Sequence, residues 1–307
     1  MKKILLCTGE EQSFDSDMTM FYSNQYNIKN DVMFSTNTII NKVLRNAGFC
    51  FVRFAINHTL IEDLEKYDTL IIFESVVKNS AIRYIRTKNP NIRIIIYFRN
   101  QFTFSKKRNV SLTYLKKYNC EFWSYHLGDC EKHHFQYNSQ FWNPEYLKKI
   151  KPQKENTYDC LFLGRTKNRI NDVVQIHEKL KHFQLKDYIY LVPKTNYDFD
   201  RNLSNQYMNY EHYLEKLSVS NAVLDLVNTE NYGLTLRPLE ALFYNKKVIT
   251  NYREIKLYDF YNKNNIFVIG EDSVDNLNDF LKKPYIELPN NIVESYTFDK
   301  WISRFFK

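Results

Sequence analysis

The sequence predicts an α/β protein made of two doubly wound domains in tandem. Three observations carry this. Short runs rich in Ile, Val, Phe and Tyr alternate with helix-like stretches, a pattern that implies βαβ units and parallel sheets. The alternation breaks around Asn138–Gln153, where Pro144 and Pro152 bracket a lysine-rich piece, and then restarts. The 307 residues are long for one domain and comfortable for two of about 150 each.

Taken in order, strands are expected at Lys3–Thr8, Phe49–Phe54, Thr69–Phe73, Arg93–Phe98 and Phe122–Tyr125. The amino-terminal apolar run is too short for an export signal and has acids close behind it, so it reads as the first strand. A helix is expected over Asn37–Asn46, with Gly48 as its terminating glycine. A short helix, Glu145–Ile150, lies in the linker. Beyond it come strand Asp159–Leu163 closed by Gly164, helix Ile170–Leu180, strand Tyr188–Val192 closed by Pro193, and helix Tyr210–Leu217. Strand Ala222–Val227, helix Leu234–Tyr244, strand Lys247–Thr250, strand Ile266–Ile269 and helix Val274–Leu281 follow. In Phe298–Phe306, Trp301, Ile302 and Phe305 share one apolar helical face. The expected division is a first domain over 1–140, a linker over 141–155, a second domain over 156–295, and a closing helix over 296–307 that packs back on the first domain.

Composition bounds the function. Hydrophobic residues make up 44 %, enough for sizeable cores, and no run of 18 apolar residues marks a transmembrane helix. Cys7, Cys50, Cys120, Cys130 and Cys160 form an odd, scattered set that predicts reduced thiols and a cytoplasmic setting. Residues 1–150 hold 21 Lys/Arg against 14 Asp/Glu, and residues 151–307 hold 22 against 21, so the positive excess lies in the first half. It clusters at Lys106-Lys107-Arg108, Lys116-Lys117 and Lys148-Lys149. Such a half suits an anionic partner, with a solvated basic surface as the plain alternative. GxxxxGK[ST], GxGxxG and GxSxG are all absent, which removes the P-loop, ordinary dinucleotide and serine-hydrolase readings.

Two stretches carry chemistry. In GLTLRPLEALFYNKKVITN, Gly233–Asn251, a strand feeds a loop, then Gly233, then a helix start. The N–H groups of Leu234, Thr235 and Leu236 there suit a phosphate, and Glu240 suits a vicinal diol such as a ribose. Arg237 is a further phosphate candidate. The bland reading is a plain strand–loop–helix connection with a solvated glutamate. In LFLGRTKNR, Leu161–Arg169, Arg165 and Lys167 follow a strand and would neutralise a diphosphate; otherwise they are two exposed loop cations. On the acceptor side, Glu10, Asp15 and Asp17 follow the first strand and are candidates for a general base. Arg99 and Asn100 sit at another strand end. Two DxD-like triplets, Asp15-Ser16-Asp17 and Asp198-Phe199-Asp200, do not directly follow an apolar strand in a suitable domain, and the adjacent His133-His134 pair lacks partners at ligand spacing, so no metal site is expected.

The motifs GRTK after a strand, GLTLRPLEAL, KKVITN, YDFYNKNNI at Tyr258–Ile266 and the closing YTFDKWI resemble the donor domain of GT-B glycosyltransferases, above all bacterial enzymes of capsule, exopolysaccharide and lipopolysaccharide assembly. The likeness covers about residues 155–307, with a weaker match over Leu127–Asn143 and only a pattern of elements before that. It implies two Rossmann-like domains facing a cleft, with a nucleotide-sugar held by the second. Its diphosphate would meet Arg165, Lys167 and the Gly233–Thr235 helix start, Glu240 would bind the ribose, and Val192 and Pro193 would flank the base. Nine residues separate Glu230 from Glu240, a departure from the shorter spacing of many retaining members, so both stereochemical courses stay open.

The resulting expectation is a metal-independent glycosyltransferase without a resident cofactor. It would be cytoplasmic and peripheral at the membrane, acting on a glycan or lipid-linked acceptor. The rivals are a nucleic-acid-binding protein using the basic, aromatic-rich first half, and a non-catalytic nucleotide-sugar binder. No nucleic-acid motif supports the first.

Overall fold

A computed structural model describes residues 2–8, 25–35, 39–103, 110–165, 170–192, 208–227 and 233–307. The chain divides into two compact units, Met1–Ser139 with Trp301–Lys307, and Gln140–Lys300.

The first unit is built on a parallel sheet of strands β1 (Lys3–Thr8), β2 (Asn27–Val32), β3 (Thr69–Phe73), β4 (Arg93–Phe98), β5 (Cys120–Ser124) and β6 (Gln136–Tyr137). Their order is β2-β1-β3-β4-β5-β6. The central strands TLIIF and RIIIYF are near-continuous apolar runs, as strands covered on both faces require. Its helices are α1 (Ile39–Asn46), α2 (Phe49–Val52), α3 (His58–Asp63), α4 (Asn79–Lys88), α5 (Leu112–Lys116) and α6 (Leu127–His133). One core joins Leu5, Leu70, Ile72, Ile94 and Ile96 of the sheet to Ile82 and Ile85 of α4 and Leu115 of α5.

The carboxyl-terminal segment Trp301–Lys307 belongs to this unit. The Trp301 ring meets Tyr97 edge-on at 5.0 Å, and Phe305 meets Trp123 at 4.9 Å. Arg93 donates to the Phe305 carbonyl at 2.7 Å and forms a fork with Glu121, both bonds 2.6 Å. Arg304 donates to Asn138 and Ser139, each at 2.6 Å.

The second unit carries β7 (Tyr158–Arg165), β8 (Asp187–Val192), β9 (Ser220–Asp225), β10 (Lys247–Thr250) and β11 (Ile266–Val268), all parallel, in the order β11-β10-β9-β7-β8. Its helices are α7 (Tyr146–Lys149), α8 (Ile170–His182), α9 (Tyr210–Ser218), α10 (Leu236–Tyr244), α11 (Leu277–Lys282) and α12 (Asn290–Ser295), and α13 (Phe298–Arg304) runs on into the first unit's segment. Buried Lys247 donates to the carbonyls of Phe280, Leu281 and Lys283, which satisfies the open end of α11. Burial pulls the Lys247 ammonium down to about 8, as it does that of Lys246, which donates to Asn156.

Two sequence expectations are corrected. Phe49–Phe54 is not a strand. Gly48, at φ 91°, reverses the chain into the short helix α2, which buries Val52 and leaves Phe51, and Phe54 in the turn after it, exposed. The strand beside β1 is the polar NIKNDV of β2, which has no apolar run to announce it. The α10 helix begins at Leu236, two residues after the expected start.

Both sheets reverse their winding once, between β1 and β3 and between β7 and β9. In open α/β sheets ligands bind outside the carboxyl ends of the strands at such reversals.

Candidate functional site

The reversal in the second unit brings the end of β7 beside the end of β9. Strand β9 is apolar until Asp225, its last residue, which is fully buried. A carboxylate with no water must be satisfied by protein groups. Thr235 donates its hydroxyl to Asp225 Oδ1 at 2.8 Å, and Arg237 Nη1 lies 3.4 Å from the same oxygen. Arg237 Nη2 donates to the Leu163 carbonyl of β7 at 2.6 Å. One guanidinium thus ties the end of β7 and the end of β9 to the first turn of α10. Its side chain remains 20 % exposed. Nearby charges, Asp225 foremost, outweigh burial and hold the guanidinium pKa above its usual value.

Thr235 occupies the N-cap position of α10, and its side chain makes no capping bond to that helix. Its hydroxyl is spent on Asp225 instead, which leaves the first-turn N–H groups without a side-chain acceptor from that residue. Pro238, third in the helix, removes one such donor. Asn251, just past β10, extends the strand edge: its amide accepts from Val227 N–H at 2.8 Å and donates to Val227 O at 3.1 Å.

Among the sequence candidates, Gly233 and Leu234 are buried immediately before this helix start. Arg165 ends β7 and is register partner of Val192, the last residue of β8, so both backbones reach the same carboxyl edge. Lys167 and Pro193 lie outside the described residues, as do Glu10, Asp15, Asp17, Glu230, both DxD-like triplets and Lys106-Lys107-Arg108. Glu240 is only 3 % exposed. Tyr210 donates to one of its oxygens at 2.8 Å and Tyr213 to the other at 2.6 Å, while Trp142 donates to Tyr210 at 2.8 Å. Burial raises its carboxyl above the ordinary value, against the lowering effect of the two tyrosine bonds. A ribose at Glu240 would have to compete with both hydroxyls.

In the first unit, the carboxyl ends of β3, β4 and β5 gather a second polar set. Glu74, buried just past β3, accepts from Arg99 N–H at 2.9 Å and from the Asn100 amide at 2.6 Å. The Arg99 guanidinium lies over the Phe73 ring at 4.1 Å. Past β5, His126 Nδ1 accepts from Asp129 N–H at 3.0 Å, and its Nε2 lies 3.1 Å from the Gln101 amide nitrogen. Buried Asp129 in turn accepts from Phe102 N–H at 2.7 Å. Gly128 leaves room for this ring, since a Cβ there would stand 2.9 Å from His126 Cε1.

Sequence reading therefore located Arg99, Asn100, Thr235 and Arg237 at strand ends or a helix start but missed Glu74, His126, Asp129, Asp225 and Asn251. The available signal was an acid directly ending an apolar run, in TLIIFE and NAVLD. Among the described residues, no group of three or more His, Cys, Asp or Glu side chains is placed to hold a metal ion, and no helix is long and apolar enough to cross a membrane.

No protein-family model matches the chain, and no curated protein matches it. Solved structures do resemble it. An alpha-glucosyltransferase in complex with UDP-glucose and DNA containing an abasic site is 14 % identical, with a TM-score of 0.59, over 98 % of this chain and 93 % of that one. The sucrose-phosphate synthase of Thermosynechococcus elongatus is 10 % identical, with a TM-score of 0.58, over 100 % of this chain and 98 % of that one. AviGT4, a glycosyltransferase involved in avilamycin A biosynthesis, is 10 % identical, with a TM-score of 0.52, over 100 % and 96 %. At such identities the likeness speaks to architecture, and with its two parallel sheets the chain has the fold of GT-B glycosyltransferases.

Proposed function

We propose that this chain transfers a sugar from a nucleoside diphosphate to a growing glycan. The observation that carries this is the polar frame at the β7/β9 reversal: Asp225 fixes Thr235 and Arg237 where the α10 start and the end of β7 meet. A preorganised cation and first-turn N–H groups that the Thr235 side chain does not cap suit a diphosphate, whose negative charge grows as the sugar–oxygen bond breaks. Arg165 and Lys167 are assigned to the same diphosphate, Gly233, Leu234 and Thr235 to the approach of the backbone, and Val192 and Pro193 to the base. Glu240 is assigned to holding α9 behind the helix start through Tyr210 and Tyr213. The structural neighbours that act on or bind nucleotide-sugars, such as the glucosyltransferase bound to UDP-glucose, support this reading.

The first unit is assigned to the acceptor, with Arg99 and Asn100 as contacts and the general base among Glu10, Asp15 and Asp17 if the reaction inverts. The acceptor is proposed to be a capsule, exopolysaccharide or lipopolysaccharide intermediate at the inner face of a membrane, in keeping with the sequence resemblance. Catalysis is proposed to need no metal, so activity should survive excess EDTA.

Calorimetry with uridine and UDP, and with the guanosine and cytidine pairs, tests the assignment. Arg165→Ala should weaken nucleoside diphosphate binding by roughly 10- to 100-fold, since a charged hydrogen bond is worth about 1.5–3 kcal/mol. The bare nucleoside should bind the variant as it binds the parent. Equal losses for nucleoside and diphosphate would remove Arg165 from the phosphate site.

A further inference from the structure

Eleven large apolar side chains among the described residues stay exposed, and five of them fall between Ile39 and Phe54. Ile39, Ile40 and Val43 are 81, 71 and 62 % exposed, and Phe51 and Phe54 are 51 and 60 %. On α1, Ile39 and Val43 are four apart and Ile40 and Val43 three apart, so the three share one face. The α1 helix packs on α2, which brings Phe51 into the same neighbourhood. Scattered exposed apolar residues are ordinary, but a contiguous patch marks a surface that something covers.

The charges around the patch identify what covers it. No Asp or Glu occurs between Asp31 and Glu62. Lys42 and Arg53 are exposed within that span, and the Arg53 guanidinium lies over the Phe54 ring at 4.6 Å. Lys78 reaches the end of α1, where it donates to Asn46 at 3.0 Å. Aliphatic and aromatic side chains ringed by cations, with no anion in the same stretch, match the boundary between acyl chains and anionic headgroups. A nucleic acid would be met mainly by aromatic platforms, whereas the three most exposed members of this patch, Ile39, Ile40 and Val43, are aliphatic and offer no face for base stacking.

We propose that α1, α2 and the turn that follows α2 form a docking face for an anionic lipid bilayer, with Ile39, Ile40, Val43, Phe51 and Phe54 entering the interface and Lys42 and Arg53 meeting the headgroups. This gives the membrane-peripheral part of the proposed function a defined surface. It is tested without donor or acceptor, so its failure and that of the transfer reading are distinguishable.

The experiment is co-sedimentation of the full chain with phosphatidylcholine vesicles with and without phosphatidylglycerol, at low and high salt. A second readout is an environment-sensitive dye on Cys50, the one exposed cysteine among five, in a Cys130→Ser background. The parent should bind the anionic vesicles, with a blue-shifted dye. Ile40→Asn/Val43→Asn should lose about tenfold or more at either salt, because the apolar insertion is removed. Lys42→Gln/Arg53→Gln should lose about 25-fold at low salt, about fivefold per charge, and little at high salt, where exposed charges are screened. Binding indifferent to both pairs would overturn the proposal. So would a concentration-dependent dimer abolished by Ile40→Asn/Val43→Asn, which would assign the face to a second copy, or tighter binding to a DNA oligonucleotide lost with the same variants.

Discussion

Replacing Asp225 with Asn removes the anion that organises the β7/β9 edge while keeping its shape. Asp225 is fully buried and Arg237 only 20 % exposed, so the variant leaves a nearly buried guanidinium without its counter-charge. Removing one partner of a fully buried pair costs about 3–5 kcal/mol. The residual exposure of Arg237 and its bond to the Leu163 carbonyl moderate that, so about 2–4 kcal/mol is expected here. Arg237→Met leaves Asp225 with the Thr235 hydroxyl and should cost a similar amount. In the double variant neither charge is stranded, so its cost should fall short of the sum by at least about 1.5 kcal/mol. Hydrogen exchange reads this unit by unit, which suits a chain of two units better than one global melting point. Peptides over β9 and β10 should lose protection while those over β3 and β4 keep theirs. Strict additivity, or a cost of Asp225→Asn below about 0.5 kcal/mol, would refute the claim that this pair holds the edge together.

Three further outcomes follow from the same geometry. Lys247 has a folded pKa pulled down from 10.5 to about 8, so the unfolded chain binds more protons between those values; its contribution is full above pH 10.5 and lost as pH falls towards 8. The stability of the parent relative to Lys247→Met should therefore rise by about 1–3 kcal/mol from pH 8 to 10.5 in urea titrations. Tyr213→Phe should cost about 1.5–3 kcal/mol at pH 7, where Glu240 loses one of its two donors, and less at pH 4, where a carboxyl whose pKa is raised in the fold takes up its proton more readily. Arg93→Ala should cost only about 1–2 kcal/mol, since the fork with Glu121 is about a third exposed, yet should speed hydrogen exchange or tryptic cleavage selectively in Trp301–Lys307 by about tenfold.

The sequence announced most of the architecture because buried parallel strands write themselves as apolar runs. TLIIF, RIIIYF and KVIT are found where expected. It did not announce β2, since NIKNDV is a polar edge strand held by backbone bonds to β1, and it suggested a false strand at Phe49–Phe54. The latter has strand composition, but Gly48 turns the chain away and Phe51 and Phe54 face out. For the site, Arg237 and Thr235 were legible as a helix start, while Asp225 was not, because one acid at the end of an apolar run reads the same whether solvated or buried. Glu240 illustrates the converse: its place in the helix was clear, but Tyr210 and Tyr213 converge on it only through the packing of α9 against α10, across about thirty residues of sequence.

The most direct test of the account is release of nucleotide from a panel of UDP-, GDP-, CMP- and dTDP-sugars by the purified chain in excess EDTA. One donor should be turned over slowly by water without acceptor, and Arg165→Ala should lower the rate for that donor by about tenfold or more. Absence of binding and turnover for every nucleotide-sugar, with or without added Mn²⁺, by a chain that remains folded would contradict it.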